Sequence, residues 1–147
     1  MTEQIFNDEF FAAEELIVEQ IRTITEFIVV ASITSLAEVK DNQQQVPACY
    51  VMYAGEDVGE AVKQAATPRR TTQKWYLIVA VRNVAQQDKS AVRSAASTLI
   101  PLVLTKMAGY KPFTNCKPLA RRTAPPPAYL NGFAYFPLRY DLEVITP

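Results

Sequence analysis

The sequence predicts an α+β fold, with two main helices packed on a mixed or largely antiparallel sheet of about five strands. Three stretches carry that expectation. Residues 73–84, QKWYLIVAVRNV, place Trp75, Leu77, Val79 and Val81 on one face of an extended strand and Tyr76, Ile78, Ala80 and Val84 on the other. A strand apolar on both sides belongs inside a sheet whose two faces are covered. Residues 88–107 carry Val92, Ala95, Leu99, Val103 and Met107 at helical spacing, a stripe that must pack on something. Finally, Phe136, Leu138, Tyr140, Leu142 and Val144 alternate with Pro137, Arg139, Asp141, Glu143 and Ile145, the period of a half-buried antiparallel strand.

The other elements follow in chain order. Residues 1–8 are expected to form a short tail. From Asp8 to about Thr23, Phe10, Ala13, Ile17, Ile21 and Ile24 share one side of a helix, with Glu14, Glu15, Glu19 and Gln20 as its polar flank and Asp8 as its cap. Residues 26–39 are rich in β-branched side chains and read as strand. A polar turn, KDNQQQ, leads to a second strand at 46–53, where Pro47 belongs at the start because it cannot donate to a ladder. Residues 54–72 are the least committed. Gly55 and Gly59 loosen the backbone and Pro68 restrains it, so the stretch reads as a flexible loop, arm or hairpin, with a short helix near 58–66 as an option.

The helix at 88–107 has Asp88 or Ser90 to cap it and Gly109 to end it, and Pro101 should kink or split it. Residues 114–122 form a strand bent near Pro118, and Pro125, Pro126 and Pro127 favour a stiff extended piece. Asn131–Gly132 suits a turn with positive φ, and 114–122 and 133–145 are expected to pair around this connection. No repeat or linker divides residues 1–147, which read as a single domain.

Formal net charge is zero, but residues 1–60 hold twelve acids and two bases, whereas 61–147 hold three acids and thirteen bases. The split admits an internal dipole, or a protomer with one acidic and one basic face suited to head-to-tail contact. Cys49 and Cys116 lie far apart with no histidine in the chain, so they suggest two free, buried thiols in a reducing compartment rather than a metal or disulfide framework. No run is apolar enough to span a membrane, and the first residues lack the regions of a signal peptide.

Catalytic chemistry finds no foothold. Histidine is missing, no GxSxG elbow occurs, the neighbouring carboxylates Glu14–Glu15 and Glu56–Asp57 have no catalytic spacing, and four scattered glycines make no phosphate cradle. No cofactor is expected. Nucleic-acid binding has more support: Lys63, Arg69, Arg70 and Lys74 form one basic run and Lys111, Lys117, Arg121 and Arg122 another, with Tyr110, Phe113 and Tyr129 as stacking candidates. A neutral chain with no recognition module weighs against it.

The order of elements resembles the tail terminator proteins of long-tailed bacteriophages and prophages. The resemblance rests on the helix 8–23, the strand around Tyr50, WYLIVAVRN at 75–83, the helix 88–107, the Gly109–Tyr110–Lys111–Pro112 turn and the final apolar strand. It covers nearly the whole chain, through order and spacing rather than one motif. It implies a non-enzymatic virion tail protein, assembled in the host cytoplasm as a ring, commonly a hexamer. That ring caps the head-proximal end of the tail tube, halts polymerisation and presents a surface to head-completion or connector proteins, while DNA passes its channel without sequence recognition. Another head–tail completion or minor tail protein is the alternative. The resemblance carries over no site residues. Local chemistry nominates Glu14, Glu15, Glu19, Arg69, Arg70, Lys117, Arg121 and Arg122 as the assembly or channel surface, with the early acids meeting Lys117, Arg121 and Arg122 of another protomer or of the tube.

Overall fold

The computed structural model describes residues 10–39, 44–61, 69–83, 89–114 and 116–146. Helix α1 (Ala12–Arg22) is followed by β1 (Val29–Ile33), a 3-10 turn (Leu36–Val39), β2 (Ala48–Ala61), β3 (Arg69–Arg82), α2 (Lys89–Met107), β4 (Ala120–Arg122), β5 (Ala128–Leu130) and β6 (Phe133–Thr146). The sheet order is β1-β2-β3-β6-β4, with β5 also paired to β6. Among the described residues only β1 and β2 run parallel; the other pairs are antiparallel. This is the expected α+β architecture, and the doubly apolar strand is central, between β2 and β6.

Both helices lie on one face. Ala13, Ile17, Val18 and Ile21 of α1 and Val92, Leu99, Val103 and Met107 of α2 share one core with Trp75, Leu77, Val79 and Val81. Ile78, Ala80, Ala48, Tyr50, Phe133 and Tyr135 form a second core on the other face, against which Leu36 and Val39 of the 3-10 turn pack. Each face of β3 therefore has its own cover, which is why its sequence shows no polar alternation at its C-terminal end. Gln44 ties the second core together: its amide donates to the Val39 carbonyl and the Tyr135 hydroxyl and accepts from the Tyr50 hydroxyl.

Several boundaries depart from the sequence reading. The first helix begins at Ala12, with Phe11 before it making no side-chain cap; the expected cap Asp8 lies outside the described residues. Glu14 and Glu15 in its first turn still suit the positive end of the helix dipole. The expected strand 26–39 is strand only over Val29–Ile33, because Phe27 turns into the helix-side core and Leu36–Val39 folds as the 3-10 turn. Ala96, not Ala95, completes the buried stripe of α2, whose steps from Val92 run four, three, four and four. Pro101 neither splits the helix nor ends it, and it faces solvent. Gly109 follows with φ 71°, the left-handed end expected of it.

The stretch 54–72 takes its hairpin option. Residues 54–61 continue β2 and 69–72 open β3, so strand replaces the optional helix at 58–61; residues 62–68 lie outside the described residues. Gly55, at φ 102°, sits in the register shift between Tyr53 and Glu56, where the bulge needs a residue without a Cβ. A Cβ on Gly59 would stand 2.8 Å from the Arg70 carbonyl oxygen, so the two strands close only around glycine there. The expected strand 114–122 is reduced to Ala120–Arg122, because Cys116 and Leu119 turn inward to the core.

Candidate assembly surfaces

Strand register sorts the candidate side chains between the two faces of the sheet. On the face opposite the helices, β3 and β6 set Thr72 against Glu143, Lys74 against Asp141 and Tyr76 against Arg139. The result is a row of ion pairs. Lys74 reaches Asp57 at 3.2 Å, and Glu143 takes both Arg70 at 3.3 Å and Lys117 at 3.1 Å. Arg139 donates to both oxygens of Asp141 at 2.9 and 3.0 Å, and Arg122 stands 3.7 Å from the same carboxylate. Asp141 is 8% exposed, so these donors replace the water it has lost. Its hydrogen bond holds the Arg139 guanidinium in the charged form, raising its pKa further.

This arrangement engages part of the expected basic surface within the chain. Arg70, Lys117 and Arg122 already face acids of their own chain, and from the same basic half of the sequence. Arg121 and Arg122, read as one basic pair, point to opposite faces: Arg122 is registered with Arg139 on the ion-pair face, Arg121 with Tyr140 on the helix face. Among the described residues Arg121 has no ion-pair partner. Arg69, exposed, donates to the Gly59 carbonyl at 3.4 Å and so braces the hairpin.

The acidic candidates sit at the other end of the molecule. Helix α1 covers β1 and β2, so Glu14, Glu15 and Glu19 lie over the β1 end of the sheet and β4 lies at the far end. Glu15 and Glu19 are exposed and Glu14 is half-buried; only Glu15 has an ion pair among the described residues, a 3.9 Å contact with Arg22. The fold therefore keeps these acids away from Arg121 and Arg122 of the same chain.

Two features escaped the sequence reading. At the β1 end, Phe11, Glu14, Ile33, Thr34 and Tyr53 line a largely apolar recess, and Phe11 is 50% exposed beside the Tyr53 ring at 4.9 Å. Helical periodicity would set Phe11 beside the apolar face, but the helix starts after it and leaves its ring half exposed. At the far end, β4 pairs with residues 139–141 of β6 and β5 with residues 133–135, which leaves 136–138 between them. Arg121, Arg122, Thr123, Ala124, Pro137 and Leu138 line the gap, about 480 Å³ in volume. Tyr129, 53% exposed, stands on β5 beyond the gap, with its ring 6.4 Å from that of Phe136.

Of the stacking candidates, only Tyr129 is presented to solvent. Tyr110 donates its hydroxyl to the Leu16 carbonyl, and Phe113 packs on the helix-side core. Among the described residues no group of side chains has the makings of a metal site, and no helix is long and apolar enough to cross a membrane.

Comparison with known proteins gives the architecture a family context. Residues 6–147 match the family model described as phage tail terminator protein. Among solved structures, a chain of the virion of a native gene transfer agent particle superposes with TM-score 0.53 at 12% identity, covering 93% of this chain and 99% of that one, a likeness of fold. A search of curated proteins finds no match.

Proposed function

The chain belongs to the phage tail terminator protein family, and on that premise we propose that it closes the head-proximal end of a phage tail tube as a ring of identical copies, hexameric as the resemblance implies. The family match over residues 6–147 carries this reading. One face of the ring seats on the last ring of tube subunits. The other withholds the surface that would recruit a further one and receives a head-completion or connector protein. Assembly takes place in the host cytoplasm, and DNA passes through the channel without sequence recognition.

Mechanism under this reading is geometric and electrostatic, with no covalent step. Acids at one end of the sheet and, at the other, an arginine without an ion pair among the described residues make a protomer whose two ends differ, as head-to-tail closure requires. A single exposed ion pair contributes about 0–1 kcal/mol, but a ring repeats every contact and engages the tube through several copies together.

The test is to add gold-labelled protein to isolated tail tubes and image them by electron microscopy. Label at one end only, the end that joins heads, is the expected result. Label along the tube or at the distal tip would reject it. Label on heads without tubes would favour a different head–tail completion role.

A further inference from the structure

We infer that the gap between β4 and β5 is the socket for the first turn of α1 from a second copy of this chain. The inference rests on the ring reading and deepens it by naming the two surfaces that meet. Phe11 of one copy lies against Tyr129 of the next, and Glu15 of the first pairs with Arg121 of the second.

Four observations converge. Both members of each pair are exposed in the single chain, and they sit at opposite ends of the sheet. No chain can satisfy its own contact, whereas neighbours arranged head to tail can all do so. Arg121 and Tyr129 share the helix side of the sheet, because their register partners Tyr140 and Ala134 both do. Charge is complementary as well: Arg121 is the β4 arginine without an ion pair among the described residues, while Glu15 has only the long contact to Arg22, with both side chains more than half exposed. A contact of that kind is weak and is readily exchanged for a better one.

Dimensions agree with one helical turn entering the gap. The register partners of Arg121 and Tyr129 are six residues apart on β6, about 20 Å along an antiparallel strand. Arg121 lines the gap from one side, and the Tyr129 ring leans on Phe136 at the other. Phe11 and Glu15 are about 6 Å apart along the helix axis and one turn from each other, a span shorter than the separation of Arg121 and Tyr129 along β6.

Reversing charges separates the possibilities. Glu15→Lys and Arg121→Glu each set like charges together at every contact and should weaken self-association by at least about tenfold in sedimentation experiments. The double variant Glu15→Lys, Arg121→Glu restores the opposed pair in every contact and should assemble close to wild type. Phe11→Ala and Tyr129→Ala should each weaken assembly without changing the thermal melt of the monomer. If the wild-type ring persists in both single variants, or if the double variant fails to recover, this contact is wrong while the ring reading stands. If the wild-type chain stays monomeric at every concentration, and does so in the presence of tail tubes, the ring reading falls and takes the contact with it.

Discussion

Gln73 shows how one residue ties the start of the chain to its centre. It is fully buried, donates to the Phe10 carbonyl at 2.8 Å and accepts from the Trp75 indole at 3.3 Å. Gln73→Leu keeps the volume and removes both bonds. Stranding the buried indole N–H should cost about 1–3 kcal/mol in a urea melt. Leu77→Ala, at a site with no exposure, should cost about 2–5 kcal/mol in the same melt. Burial pushes the Cys49 thiol from its ordinary 9.0 up to about 12. Between those values the unfolded chain releases the proton while the folded chain keeps it, so stability falls as pH rises through that window. Cys49→Ala lacks the effect, so the stability gap between it and wild type should narrow between pH of about 8 and 10.5. Such core residues were legible from alternation alone: Trp75, Val79, Leu99, Val103 and Leu142 are all buried as their faces required. The polar partners were not legible, because Gln73 looks like any surface glutamine until the Phe10 carbonyl is brought to it from 63 residues away.

Elements were readable where a period persisted and unreadable where tertiary contacts overrode it. Strand β6 and helix α2 follow their patterns to within about a residue at each end. The hairpin of β2 and β3 does not announce itself, since Gly55 and Gly59 resemble loop residues; one is a bulge and the other a point of close approach. Gly59→Ala forces a Cβ to within 2.8 Å of the Arg70 carbonyl oxygen, so the strands must part. We expect a loss of about 1–3 kcal/mol, with faster amide exchange confined to residues 56–61 and 69–73. An unchanged exchange pattern would mean that the hairpin is open in solution. Pro101 makes the opposite prediction. It lies exposed within a continuous helix, so Pro101→Ala restores a missing N–H donor and should stabilise the protein by up to about 3 kcal/mol. Short strands β4 and β5 had no period to show, and their existence is decided by what β6 offers them.

For the whole molecule, the sequence exposed the separation of charge but not its arrangement. Adjacent positions 121 and 122 look like one basic patch in a linear chain, and strand geometry sends them to opposite faces. The acids of α1 and the arginine of β4 are held at opposite ends of one sheet, and this polarity is what a closed head-to-tail assembly uses. Family membership supplies the setting, a phage tail. The proposed termination of the tube would fix its length, and length is measurable. Tube subunits polymerised with their length-determining partners should give tubes of one length when this protein is present and overlong tubes of scattered length when it is left out. The Glu15→Lys variant should behave like omission. Identical length distributions with and without the wild-type protein would contradict the account.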